Sequence, residues 1–256
     1  MTTHYLLRRL HSLSGIVPVG VFLVVHLWTN AAAAGGRASF DHAVGQIQAI
    51  PGLPLVELFG IALPLAFHAL YGVFLALRAK GNVAQYPYPR NWMFTLQRVT
   101  GFVAFAFIAL HVAQLRVPKA FGALPWTSFY GALQAMLGEP GMFAVYLIGV
   151  TACVVHFANG LWGASQTWGF ASSPRASRRA GRAALALGAL LWLLGLHTLL
   201  HFFWRCGGLM PLPAAQRERA CRDGDLVRRE NSRRDAFTRA GHFPYTTERA
   251  PSTTTR

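Results

Sequence analysis

The stretch ELFGIALPLAFHALYGVFLALR, residues 57–78, decides the architecture of this chain. About 20 apolar residues in a helix cross roughly 30 Å of hydrocarbon. Here Glu57 stands at one end, Arg78 at the other, and the polar residue His68 lies midway. Pro64 is no obstacle, because membrane helices tolerate proline. Four more stretches follow the same design, near residues 15–34, 97–116, 141–165 and 183–204. The expected fold is an all-α membrane protein with five transmembrane helices, the first four forming a bundle. Composition agrees: 53% of residues are hydrophobic and 13% charged, with mean hydropathy +0.33. A soluble domain carries about 25% charged residues. Before residue 210 the only acids are Asp41, Glu57 and Glu139.

Basic residues cluster in alternate loops. Arg8 and Arg9 precede the first span, and Arg78, Lys80, Arg90 and Arg98 flank the second connection. Arg175, Arg178, Arg179 and Arg182 flank the fourth, whereas the loops after spans 1 and 3 hold only Arg37, and Arg116 with Lys119. Positive-inside asymmetry predicts a cytoplasmic N-terminus in a multi-pass protein of the cytoplasmic membrane. The net charge of +15 belongs largely to these loops and to the tail, so it does not argue for nucleic-acid binding. Residues 1–204 read as the five-helix domain. Residues 205–256 are Arg-rich with little apolar periodicity and are expected to be disordered. The tail is either a genuine extension or a reading frame run past its natural end. The first apolar stretch runs on into a full span, which argues against a cleaved signal peptide. Cys153, Cys206 and Cys221 show no CxxC or CxxCH spacing. That excludes zinc, thiol-redox and covalent c-type haem motifs.

His26, His68, His111 and His156 each lie deep in a different span. A buried ionisable side chain in a membrane is costly and marks function by default. The plainer reading is helix packing by satisfied polar groups, which four such residues on four spans make the weaker one. At 1.5 Å per residue, His26 and His111 lie roughly 17 and 21 Å from the cytoplasmic ends of their spans, and His68 and His156 roughly 15 and 14 Å. Depth pairs His26 with His111 toward the outside and His68 with His156 toward the inside. Two imidazoles facing each other are what a six-coordinate b-type haem needs, so two haem b are expected, one above the other. Filled axial positions favour electron transfer over oxygen chemistry.

The neighbouring residues carry further signals. Gly72 and Gly160 each follow a deep histidine by four residues and so share its helix face. They leave room for a macrocycle or for close helix packing. Spans 1 and 3 echo each other in RRLHSLSG (residues 8–15) and QRVTG (residues 97–101), as if a helix pair had been duplicated and a fifth span added. Arg9, His11 and Arg98 at the rim are candidates for contacts to haem propionates, with snorkelling as the alternative for the arginines. Glu57 is a candidate quinone-site acid or an interfacial carboxylate. His197 and His201 form an i, i+4 pair on span 5 with no evident partner.

Over residues 5–204 the chain resembles the cytochrome b membrane anchors of succinate:quinone oxidoreductases, in the class with one five-helix polypeptide and two haems, the cytochrome b558 type. The stretches that carry the resemblance are RRLHSLSG (8–15), HALYG (68–72), RNWMFTLQRVTG (90–101), HFANGLW (156–162) and TWG (167–169). The resemblance implies a non-catalytic subunit partnered by a flavoprotein with covalent FAD, where succinate is oxidised, and by an iron–sulfur protein. It also implies a quinone, usually menaquinone. It assigns His68 and His156 to the haem nearer the iron–sulfur subunit and His26 and His111 to the distal one. Some fumarate reductases of the superfamily carry a glutamate two residues before the ligand matching His156. Val154 stands there, which argues against that proton route and favours succinate oxidation. The rival readings are a di-haem cytochrome b of a hydrogenase or formate dehydrogenase, which would lack the 90–101 stretch, and a haem-free transporter or structural membrane protein.

Overall fold

A computed structural model describes residues 3–205; the tail assigned above lies, from residue 206 on, outside the described residues. Among the described residues, five helical stretches are long and apolar enough to span a bilayer: Thr3–Gly35, Leu53–Arg78, Pro89–Ala120, Pro140–Thr167 and Pro174–Arg205. The first is split into α1 (Thr3–Ile16) and α2 (Pro18–Ala31). The others are α4 (Leu53–Arg78), α5 (Pro89–Ala120), α7 (Pro140–Thr167) and α8 (Pro174–Arg205). They alternate in direction. The near end of the bundle, where α1 starts, holds the α4–α5 and α7–α8 loops, and the opposite end is called the far end. Many large apolar side chains point away from the protein, among them Trp28, Phe59, Leu70 and Leu77. Facing lipid, that surface has no hydration cost, and the chain is a multi-pass membrane protein.

The helices extend past the boundaries expected from hydropathy, and proline explains where they begin. Pro18 marks the break between α1 and α2 within the first span, whereas Pro89, Pro140 and Pro174 each open a helix. There the missing N–H would have no intrahelical partner and the fixed φ suits the first turn. Hydropathy sees only the part immersed in hydrocarbon. Two internal prolines act differently. Pro64 follows a π-helical stretch, Val56–Ala62, and Pro118 follows another, Val112–Arg116. A proline ring cannot accept the regular turn before it, and one wide turn absorbs the misfit.

Two helices were not expected. α3 (Arg37–Gln48) and α6 (Phe129–Leu137) fold over the far end. They bury Phe40 and Val44, and Tyr130, Leu133 and Leu137, against Tyr146, Leu199 and Phe202 of the spans. Both show apolar residues at helical spacing but are too short to register as spans. The fifth span is also more than an addition. α8 packs along α7 and α2, with Gly188 and Gly195 at the contact. A Cβ on either would come within 2.8 Å of Ala158 or Val150. Small residues let membrane helices approach this closely.

Candidate haem-binding site

α1 meets α4 in the same way that α5 meets α7, and the deep histidines sit at those contacts. In the first pair, His68 Nδ1 lies 3.0 Å from the His11 carbonyl oxygen. In the second, His156 Nδ1 lies 2.9 Å from the Gln97 carbonyl oxygen. A carbonyl only accepts, so each Nδ1 carries the proton and each Nε2 keeps a lone pair. Glycines make the approach feasible. A Cβ on Gly15 would sit 2.3 Å from His68 Cε1, and one on Gly101 would sit 2.9 Å from His156 Cε1. Gly72 and Gly160 return the arrangement by facing the side chains of His11 and Gln97. The room they provide is taken by a neighbouring helix's side chain.

Across the bundle the histidines meet in two pairs. The rings of His68 and His156 are 6.1 Å apart at an interplanar angle of 84°. Those of His26 and His111 are 5.7 Å apart at 80°. These are the pairs expected from depth. With a metal–imidazole bond of about 2 Å, two imidazoles on opposite sides of one metal have centroids about 6 Å apart.

The far-end pair is held by side chains. His111 Nδ1 lies 3.3 Å from the Tyr146 hydroxyl oxygen, and that hydroxyl donates to Gln114 Oε1 at 2.9 Å. Asn30 Nδ2 donates to the His26 carbonyl at 2.7 Å and lies 3.5 Å from His26 Nε2. At the near end, Gln97 Nε2 donates to the His156 carbonyl at 3.1 Å and lies 3.4 Å from His156 Nε2. Asn159 Nδ2 donates to Gln97 Oε1 at 2.8 Å and to the Met93 carbonyl at 2.9 Å. Gln97, Gln114, Tyr146 and Asn159 were not anticipated as site residues. Polar side chains inside apolar spans are the signal that would have found them.

The rim candidates behave differently from one another. His11 stacks on His68, with centroids 4.2 Å apart and planes 7° from parallel. Arg98 donates through Nη2 to the Ala76 and Ala79 carbonyls at 2.7 and 3.0 Å, capping the C-terminal end of α4. Arg9 lies over the Trp168 ring at 4.8 Å and donates from Nε to the Tyr5 hydroxyl at 3.1 Å. Three polar atoms in this neighbourhood are buried without a partner: His11 Nδ1, Tyr71 Oη and Arg98 Nε. Unpaired buried polar groups are rare and call for a reason. A carboxylate-bearing ligand beside His68 would supply acceptors, so the residues present fit a haem with its propionates toward the near end.

At the far end Glu57 is paired with Arg116, Nη2 to Oε2 at 2.6 Å, and with Lys119 Nζ at 3.4 Å. Glu57 and Arg116 belong to the two π-helical stretches, so the ion pair ties the wide turns of α4 and α5 together. His201 also has a partner, its Nε2 lying 3.2 Å from the Tyr130 hydroxyl, whereas His197 is exposed on α8.

A protein of Bacillus subtilis (strain 168), named succinate dehydrogenase cytochrome b558 subunit, is 40% identical to this chain over 195 residues, which is 76% of the chain and 95% of that relative. The chain belongs to the succinate dehydrogenase cytochrome b558 subunit family. No protein-family model matches it. As a family member it is the membrane-anchor cytochrome subunit rather than the chain that acts on succinate. A quarter of its length, by the same alignment, has no counterpart in the relative.

Proposed function

We propose that this chain anchors a flavoprotein and an iron–sulfur subunit of succinate dehydrogenase to the cytoplasmic membrane, and transfers electrons between the iron–sulfur subunit and menaquinone by way of two b haems. The observation that carries this reading is the pair of facing imidazole couples inside a bundle of an anchor family. His68 and His156 would hold the near-end haem, and His26 and His111 the far-end one. Haem held at these histidines would supply a one-electron carrier. The chain's own residues do the rest. The His11 and Gln97 carbonyls fix two imidazoles with Nε2 free, and Tyr146 does the same for His111 by accepting from Nδ1. Such partners set the tautomer and ring orientation of a ligating histidine. His11, Tyr71 and Arg98 offer donors to the near-end propionates, while Arg9, engaged with Trp168 and Tyr5, acts as an interfacial anchor.

The cation-rich near end supports a cytoplasmic N-terminus, which sets the iron–sulfur subunit beside His68 and His156. Quinone chemistry belongs at the far end, where Glu57 is the acid poised to exchange a proton with water. Its ion pairs with Arg116 and Lys119 hold that carboxylate in place, and reach comes before pKa in a general base. Residues 1–204 carry these roles as one transmembrane domain, with 205–256 as an appended tail.

The test is haem stoichiometry. Pyridine haemochrome analysis of the purified complex should give close to two non-covalent b haems per anchor, both low-spin. A value near zero, or haem that resists acid-acetone extraction, would overturn the assignment. Glu57→Gln should keep both haems and slow quinone-linked turnover by roughly tenfold or more, with succinate oxidation by an artificial acceptor unchanged. Unchanged quinone turnover would remove Glu57 from the site.

A further inference from the structure

The N-terminal third of α8 carries four arginines, Arg175, Arg178, Arg179 and Arg182, at positions i, i+3, i+4 and i+7. That spacing puts them on one helix face, and all four are exposed. The opposite face packs on α7. Trp162 Nε1 donates to the Ser177 carbonyl at 3.1 Å, and a Cβ on Gly181 would come within 3.3 Å of the same indole nitrogen.

This arrangement runs against helix electrostatics. A helix N-terminus carries partial positive charge and favours acids. Here the first turn holds no acid, and four guanidinium groups add to the same field. Nothing in the described chain offsets them, because the acids among residues 3–205 are Asp41, Glu57 and Glu139, all at the far end. The counter-anion therefore lies outside the described residues.

The direction of the stripe says which anion. Continued along α8, the same face presents Leu185, Leu190 and Leu193, 71%, 57% and 57% exposed, which is the surface that meets acyl chains. Hydrocarbon takes about 20 residues of the 32 in α8, so the arginines stand at head-group depth directly above that surface. A subunit seated on the near end would meet helix ends and the 79–88 and 168–173 loops. The stripe looks sideways into the leaflet. We infer that it is a binding surface for the phosphate head groups of anionic phospholipid, with guanidinium groups engaging phosphate oxygens in pairs.

The experiment uses the purified complex with the full chain, equilibrated in vesicles of phosphatidylcholine containing a minority of phosphatidylglycerol. Lipids retained after recovery in mild detergent are quantified by mass spectrometry. Phosphatidylglycerol should be enriched over its bulk share by roughly fivefold or more. The fourfold Arg→Gln variant at 175, 178, 179 and 182 should fall to near parity, and the fourfold Arg→Lys variant should keep part of the enrichment. Single Arg178→Gln and Arg182→Gln variants should lose it stepwise, which keeps the question decidable if the fourfold variant does not fold. Parity in the unaltered protein would overturn the inference. So would enrichment that survives in the Gln variants while the iron–sulfur subunit is lost, since the stripe would then be a protein-docking surface.

Discussion

The two histidine pairs differ in what orients them. At the near end both imidazoles are held by main-chain carbonyls of a neighbouring helix, His11 O for His68 and Gln97 O for His156, with a glycine backing each ring. At the far end orientation depends on side chains: the Tyr146 hydroxyl for His111, and Asn30 beside His26. The near-end site is thus built into helix packing, in the same way at the α1–α4 and α5–α7 contacts. The far-end site is built from individual residues and lies beside the π-helical turns, the Glu57 ion pairs and the α3–α6 cap. The far end is accordingly open to tuning by substitution, whereas the near end changes only if the helices move.

The largest effect that can break this comparison is loss of a ligand. His68→Ala and His156→Ala should each abolish the same spectral component, and His26→Ala and His111→Ala the other, with haem per anchor falling from two toward one. A single imidazole cannot keep an iron six-coordinate and low-spin. Should His26→Ala and His68→Ala remove one shared component, the pairing is wrong.

Next in size are the glycines. A methyl group on Gly15 meets His68 Cε1 at 2.3 Å, and one on Gly101 meets His156 Cε1 at 2.9 Å. In a close-packed interior one added carbon is felt. Gly15→Ala should remove most of the near-end component and Gly101→Ala a smaller part, with the far-end spectrum intact in both. Equal loss of both components in either variant would mean that the bundle, rather than one ring, had been displaced.

Tyr146→Phe sharpens the contrast at the far end. It deletes the acceptor for His111 Nδ1 and the donor to Gln114. Partners of ligating histidines are worth roughly 10–100-fold in metal affinity or activity. A shift of tens of millivolts in the far-end midpoint potential is expected, since a one-electron couple moves about 59 mV per tenfold. The near-end potential should stay put; redox titration followed at both bands is the check.

The five spans and the depth pairing were legible in sequence because each rests on a strong, local signal: a long apolar run and a charged-capable residue inside it. The curated relative from Bacillus subtilis bears out the family resemblance carried by the stretches between residues 8 and 169. The helices α3 and α6 were missed because they are too short to span, although Phe40 with Val44, and Tyr130, Leu133 and Leu137, kept helical spacing. The role of Gly15 and Gly101 could not be read from their own spans. It depends on which residue of another helix arrives opposite, and that is fixed by packing register. The carbonyl anchors leave no trace in sequence, because every residue has a carbonyl.

That last point yields the smallest predicted effect and the sharpest test of the contrast. Gln97 contributes to His156 through two groups. Its carbonyl accepts from Nδ1 at 2.9 Å, and its side-chain amide donates to the His156 carbonyl at 3.1 Å while accepting from Asn159 at 2.8 Å. Gln97→Leu removes only the second set and leaves the main-chain anchor in place. The side-chain bonds bear on packing, at about 1 kcal/mol each in net terms, so the variant should lose some thermal stability. It should keep both haems, with a near-end midpoint shift smaller than the far-end shift of Tyr146→Phe. If Gln97→Leu instead moved the near-end potential as far or released the haem, the amide would be the orienting group. The near end would then be as side-chain-dependent as the far end, and the difference between the two sites would reduce to which residues they use.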